Sequence, residues 1–331
     1  MFGDLAKSFG RTFLIAHLVP SILFVSMNII LVKFGLLALP EWMRWENFGI
    51  KYLGEKAVVL LLVAFFIALG LQQFNTIIIK LYEGYFIDWL PKWFSGSKFA
   101  TSICEYQKRL HSKRIREIEQ SRQSNNRSQE ADIKQFDLTR NFPDEEQTLP
   151  TKLGNVIRAF ENYVKKIYNI DPITGWIRLI GVIPDPYKGE IEKAQSDFIF
   201  VLNLSFLSVS LGIEWLILPG ELIWRNLLFT PFLCFFTAYF FYRISCSYAQ
   251  WWGEYVRSAF DLYRYDLLKK MGVSLPSRPI TLQEEKAIWG RVQEHTFYVN
   301  DPGEADFQSI GELKFLPRSA QSKQMKSCED S

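Results

Sequence analysis

The sequence is poor in the residues that carry acid–base and metal chemistry. It holds three histidines, His17, His111 and His295, and four cysteines, Cys104, Cys234, Cys246 and Cys328, in 331 positions. No two cysteines form a CxxC pair, and two of the four lie in or beside an apolar block, which excludes a disulfide framework or a zinc site. No histidine has a partner at a spacing that suggests a triad, a metal centre or a general base. Walker A, GxGxxG, HExxH and GxSxG patterns are all absent. The expectation is a protein with no enzymatic activity, no cofactor, no metal and no catalytic residue. Net charge is only +3, spread through segments of mixed sign. Without a dense basic tract, nucleic acid is not an expected partner.

What is abundant is apolar and aromatic. Apolar residues make up 48% of the chain, and Phe, Tyr and Trp make up 16%. The excess is concentrated in four blocks, Phe13–Val32, Ala57–Ile79, Phe198–Leu218 and Leu227–Ile244. Each approaches the ~20 residues an α-helix needs to cross ~30 Å of hydrocarbon. The second is the clearest: Ala57–Leu71 carries no charge, and Lys56 and Lys80 bracket the segment. The fourth is the weakest, being short and containing Pro231, although a proline in the first turns of a helix removes a donor that has no partner anyway. The first block is too long for a signal peptide and is read as a retained signal anchor. The partner these blocks imply is a lipid bilayer.

Lys/Arg asymmetry sets the orientation. Lys7, Arg11, Lys80, Lys92, Lys98, Lys188, Lys193, Arg243, Arg257 and Arg264 flank the spans on one face. Across the other face, Arg225 is offset by Glu221, and Lys33, Arg44, Lys51 and Lys56 by Glu41, Glu46 and Glu55. Both termini and the region Ser95–Lys193 are therefore expected in the cytoplasm, with the protein multi-pass in the inner (plasma) membrane. Trp42, Trp45, Trp215 and Trp224 fall where an outer interfacial belt belongs, and Trp89, Trp93, Trp251 and Trp252 where an inner one does.

The fold class that follows is all-α: four transmembrane helices, with a cytoplasmic helical domain built from the insert between spans two and three and from the extension of span four. Residues 1–94 form a first hairpin with an interfacial segment. Residues 95–193 form the insert, 194–245 the second hairpin, 246–300 the C-terminal cytoplasmic helices, and 301–331 a disordered tail. Within the insert, Phe99–Glu119 has a helical repeat of Ile103, Tyr106, Leu110, Ile115 and Ile118. The stretch 121–146 is the most polar and reads as a mobile loop. Thr151 should cap a helix to Tyr168, Asp171-Pro172 should break it, and another helix should run from Tyr187 into span three. Span four should continue to Met271, with Gly272 as its C′ residue. Thr281 and Glu284 should form a capping box for a last helix near Leu282–Glu294.

Two groups of residues are candidate functional positions. His17, Asn28, Gln72, Gln73, Asn75 and Asn203 are polar inside apolar blocks. They read either as interhelical hydrogen bonds or as a hydrated path through the bundle. Pro20 should kink span one and free a carbonyl near His17. Arg158, Glu161, Asp171, Arg178, Arg257, Asp261 and Arg264 lie on the cytoplasmic helices, either as structural ion pairs or as a surface for an anionic ligand or a partner's acidic segment. Gly154–Glu161 and Gly253–Asp261 echo one another, which suggests two packed helices with each arginine meeting the other's carboxylate.

Leu149-Pro-Thr-Lys-Leu-Gly-Asn155 is followed by Glu161, Tyr163, Tyr168-Asn-Ile-Asp171, Trp176 and Arg178-Leu179. With Gly253-Glu-Tyr-Val-Arg257-Ser-Ala-Phe-Asp261-Leu-Tyr-Arg264-Tyr-Asp-Leu-Leu268, this resembles a widespread, functionally uncharacterised set of bacterial multi-span membrane proteins. The resemblance covers about a third of the chain. It implies the topology and the importance of the cytoplasmic helices, and it implies no activity. The functional expectation is a non-catalytic, homo-oligomeric membrane protein that receives a signal or binds a cytoplasmic partner, of the kind that opens a pore as a defence effector. The alternative is an ion channel or small-solute transporter with a polar path through His17 and Gln72/Gln73.

Overall fold

The computed structural model describes residues 10–33, 53–86, 98–123, 128–217, 229–273, 275–276 and 278–297. Every regular element among them is helical, with no strand. We number the main helices α1 (Val19–Lys33), α2 (Leu53–Gln73), α3 (Asn75–Glu83), α4 (Lys98–Gln123), α5 (Ser128–Asn141), α6 (Lys152–Tyr168), α7 (Pro172–Leu179), α8 (Asp185–Ile217), α9 (Phe229–Lys270) and α10 (Leu282–Phe297). A π-helical turn, Leu14–Leu18, leads into α1.

Local signals explain most of the boundaries. The Thr151 hydroxyl accepts the Gly154 N–H at 3.0 Å, and Asn169 ends α6 with a left-handed φ of 62°. The Asp171 carboxylate caps α7 by accepting the Thr174 N–H and hydroxyl at 2.9 and 2.6 Å, with Pro172 in the first turn. Thr281 and Glu284 exchange the reciprocal bonds of a capping box at 2.9 and 3.3 Å. Gly272 closes α9 at φ 80°. At 1.5 Å per residue the 42 residues of α9 span about 63 Å.

Among the described residues, two helices are long and apolar enough to cross a membrane. They are the segment Leu14–Leu31 and helix α8. A third candidate is broken: Ala57–Gln73 and Asn75–Glu83 meet at 60°. Phe74 stands between them outside helical geometry, and its N–H still bonds the Gly70 carbonyl at 2.9 Å. The first part of α9 falls short of that standard, because Thr230, Pro231, Thr237, Tyr239, Tyr242 and Arg243 dilute its phenylalanines.

α8 and α9 pack along one another as the spine of the molecule, and α6 lies across α9. Trp252 sits between Phe160 of α6 (5.1 Å, edge-on) and Phe198 of α8 (5.7 Å, stacked). Trp252 is thus part of the core rather than of an interfacial belt, because its ring meets two aromatic partners from different helices. Trp215, also placed in a belt by its position in the chain, is buried with Leu31, Leu211 and Cys234. Trp42, Trp45, Trp89, Trp93 and Trp224 lie outside the described residues, as does the tail 301–331. Burying each such large apolar side chain contributes about 1.5–3 kcal/mol.

The polar stretch 121–146 differs from the expected loop. Residues 128–141 form α5, which folds back on α4 through Ile118, Leu138 and Phe142. Ala131, Leu138 and Phe142 form a seam just wide enough to bury against one helix. Its end is tied to α9, where Gln250 donates to Asn141 at 2.6 Å.

Candidate functional site

The first polar group forms around the missing N–H of Pro20. A proline leaves the carbonyl four residues earlier without its helical donor, here that of Ala16. The Asn203 side chain of α8 donates to that oxygen at 2.7 Å and stands 3.1 Å from His17 Nδ1. The Ser21 hydroxyl takes the His17 carbonyl at 2.8 Å. Ahead of Pro20 the helix takes a π-helical turn, Leu14–Leu18, in place of regular α geometry. Asn28 donates to its own helix at the Phe24 carbonyl, 3.2 Å away. Gln72 and Gln73 are exposed at the end of α2, and Asn75 begins the turned-away α3. The structure joins His17 to Asn203 and does not bring the glutamines to them.

The second group lies where α6, α7, α9 and α10 converge. Asp261 of α9 accepts the hydroxyls of Tyr168 at 2.6 Å and Tyr163 at 3.2 Å, both from α6. Burial and the adjacent carboxylate push both phenols above their ordinary range. Arg264 binds Glu285 of α10 at 2.6 Å and lies over the rings of Tyr168 and Tyr265, 4.4 Å from each. Burial disfavours the Arg264 charge, but Glu285 more than offsets it and its pKa rises. Tyr265 completes the link with a 3.0 Å bond to Glu285.

Arg257, 8% exposed, is the most deeply set of the predicted arginines. It bonds Glu254 at 3.0 Å and the Thr139 carbonyl of α5 at 3.1 Å, and covers Tyr163 at 5.4 Å. Arg140 reaches the same Glu254 oxygen at 2.8 Å as an ion pair, with its N–H not aimed for a hydrogen bond. The cross-paired arrangement suggested by the echoed segments is therefore not the one formed. Arg158 pairs with Glu161 on its own helix at 3.6 Å and with the Tyr85 hydroxyl, and Arg257 pairs with Glu254 on its own helix. Arg178 donates to the Thr174 carbonyl at 2.9 Å. The echo has a different cause: both glycines mark close approaches. A Cβ on Gly253 would sit 2.5–3.1 Å from the near end of Phe160, and one on Gly154 would overlap the Glu83 carbonyl.

That second contact belongs to a junction the sequence patterns do not reveal. The end of α3 is clasped by the start of α6. Thr151 donates to the Tyr82 carbonyl at 2.8 Å, and Gly84, at φ 102°, fits under Pro150 and Thr151. Ser205 of α8 spends its proton on the Ala238 carbonyl at 2.8 Å, so the Tyr82 hydroxyl donates to Ser205 at 3.0 Å. Tyr82 also stacks on Tyr242 of α9, whose hydroxyl faces the Leu153 N–H at 3.4 Å. Four helices, α3, α6, α8 and α9, thus meet at one point. The only trace of this in the sequence is a glycine, Gly154, in the first turn of a strongly amphipathic helix.

Among the described residues no group of three His, Cys, Asp or Glu is placed to hold a metal ion. His111 is buried against Phe142, with ring centroids 5.4 Å apart, while the His295 side chain lies outside the described residues. Burial lowers the His111 pKa, against the pull of Glu145 and Asp144 and together with Lys166. A depressed pKa means the neutral ring stabilises the fold above its unfolded value of 6.5, and that stability is lost as pH falls below it. His111→Phe should flatten the acid limb of a melting-temperature profile below that value and leave any measured activity within about threefold. A loss of about a hundredfold or more, the scale of general acid–base catalysis, would make His111 a catalytic residue.

Comparison with family models, curated proteins and solved structures gives no match for this chain.

Proposed function

We propose that this chain is a non-catalytic, four-span membrane protein whose cytoplasmic helices receive a signal or bind a partner and pass the change to its spans. The observation that carries the reading is the clasp of α3 by α6. The second apolar block turns by 60° at Phe74, within the last residues of the span, and its turned end is held by the first turn of α6. A shift of α6 would pull on α2 through backbone contacts. The spans are residues 13–32, 57–79, 198–218 and 227–244, with both termini in the cytoplasm. The fourth is included because it pairs with α8 and exposes Phe232, Leu233, Phe236 and Phe240 outward. Exposed apolar residues along α1 and α2 are faces for lipid or for further copies of the chain. A small number of spans, a large cytoplasmic helical part and an oligomer fit a pore-forming effector. A transporter-like polar path through each protomer is the weaker reading, because Gln72 and Gln73 stand apart from His17.

Expression in bacterial cells carrying a potential-sensitive dye tests the proposal, with and without the product of a neighbouring gene. Depolarisation within minutes of induction or of the triggering signal is the expected result. An unchanged membrane potential under both conditions would leave a passive scaffold in its place.

A further inference from the structure

The short helix α7 has one packed side and one bare side. Gly175 lies against Ile170 and Phe260, Trp176 tilts on the Phe260 ring at 6.0 Å, and Leu179 is fully buried. On the other side, one helical turn apart, Ile173 and Ile177 are 72% and 68% exposed. Among the described residues Ile173 is the most exposed large apolar side chain, and the others at that level, Ile217 and Phe66, belong to the apolar blocks. A pair of bare isoleucines outside any such block is a docking face.

Three occupants differ in what they require. Lipid is out of reach: Trp176 meets α9 at Phe260, 16 residues past Ile244, where the fourth apolar block ends. That is about 24 Å of helix. A second copy would need about 800 Å² per partner for a stable interface, far more than two isoleucines offer. A segment of the same chain needs much less, because its tether holds it at a millimolar effective concentration.

The chain supplies such a segment in the right place. α10 ends at Phe297, and one turn earlier Gln293 accepts the Asp171 N–H at 2.9 Å and donates to the Asn169 carbonyl. α10 therefore ends beside the start of α7, where Ile173 stands two positions past Asp171. In the sequence that follows, Phe307, Ile310, Leu313, Phe315 and Leu316 gather within one short stretch, and between 300 and 331 the only other large apolar side chain is Met325. The step from Phe297 to Phe307 reaches up to about 33 Å when extended, while the whole of α7 is about 12 Å long.

We propose that Phe307–Leu316 docks on the Ile173/Ile177 face of α7 and covers it. The docking ties the chain beyond α10 to the corner where α6, α7 and α10 meet. Only the exclusion of lipid rests on the span reading above.

Hydrogen–deuterium exchange of the full chain in detergent reads the docking. The amides of 307–316 should exchange about tenfold more slowly than those of an unstructured peptide. Ile173→Asp with Ile177→Asp should abolish that protection, while Tyr106→Asp, at a similarly exposed position on α4, should keep it. Both isoleucines being exposed, the double variant should melt within about 2 °C of the wild type. A reverse arm leaves α7 almost untouched. In Ile177→Cys, labelling by a bulky maleimide is followed by mass spectrometry of the peptide that holds residue 177. Adding Phe307→Asp and Leu313→Asp should speed it about tenfold. Three results would each overturn the proposal: free exchange across 307–316 in the wild type, protection that survives the two aspartates on α7, or labelling at 177 that the tail substitutions leave unchanged. Protection that disappears on dilution would assign the face to a second copy, and slow labelling confined to nanodiscs would assign it to lipid. Either would overturn the tail as its occupant.

Discussion

Arg257→Glu is expected to destabilise the protein by about 3–5 kcal/mol, the scale of breaking a buried ion pair. The side chain is only 9% exposed, and its surroundings are built for a cation. Glu254 lies at 3.0 Å, the Thr139 carbonyl at 3.1 Å, and the Tyr163 ring beneath it. Reversal sets two carboxylates one helical turn apart at a half-buried position, with Arg140 alone to offset both. It also removes one of the ties between α5 and α9, the Arg257–Thr139 bond, leaving Gln250–Asn141. Glu161→Arg or Asp171→Arg should give no rescue, since Glu161 is held by Arg158 and Asp171 is occupied as the cap of α7. Melting of purified protein in detergent decides the matter. Unchanged melting would mean Arg257 is not held as described, and rescue by either reversal would restore the cross-paired arrangement.

Gly154→Val should be the most damaging single change at the junction. A Cβ at this position overlaps the Glu83 carbonyl oxygen and lies 3.1 Å from the carbonyl and α carbons of the same residue. Backbone is the obstacle, so no rotamer change relieves it, and α3 must move off α6. Overpacking of this kind costs about 1–3 kcal/mol and more when backbone must shift. Loss of the Thr151–Tyr82 and Tyr82–Ser205 bonds would add to that. Gly189→Ala is the matched control: it is also helical, has nothing within 4 Å of its Cβ, and should gain about 0.5–1 kcal/mol from lower unfolded-chain freedom. If the two variants melt alike, α3 and α6 do not meet as described. If Gly154→Val keeps membrane insertion but loses the depolarisation expected of the wild type, the clasp is the route by which the cytoplasmic core acts on the spans.

The parts of this structure that could be read from the chain are those set by local rules. The caps at Thr151, Asp171 and Thr281, the stop at Gly272 and the long helices α8 and α9 follow from residues within a few positions of one another. The seam of α6 was equally plain, because Val156, Ile157, Phe160, Val164, Ile167 and Tyr168 recur with the helical period, and all but the partly buried Ile167 are buried. Helix α5 was hidden, since its buried seam is two or three residues set among glutamine, aspartate and arginine. Partner choice was hidden too. Spacing puts Arg257 on the face that meets α6, but whether it meets Glu161 or folds back on Glu254 depends on where Thr139 arrives from α5. The 60° turn at Phe74 has no proline or glycine at its corner. No local breaker marks it, and the helix it turns ends with Glu83 packed against Gly154. His17 and Asn203 were each recognisable as polar residues in apolar blocks, and Pro20 showed that a carbonyl would be free. That Asn203 supplies the missing donor required both helices to be placed.

The most direct test of the proposed function is the sidedness of the chain, because the four-span reading and the cytoplasmic placing of the helical core both depend on where the spans begin and end. Dual reporter fusions, one active only in the cytoplasm and one only outside it, are placed after Glu46, after Ser124 and at the C-terminus of the full chain. The account predicts cytoplasmic signals at Ser124 and at the C-terminus and an external signal at Glu46. An external signal at Ser124, or opposite signals at Ser124 and the C-terminus, would contradict it.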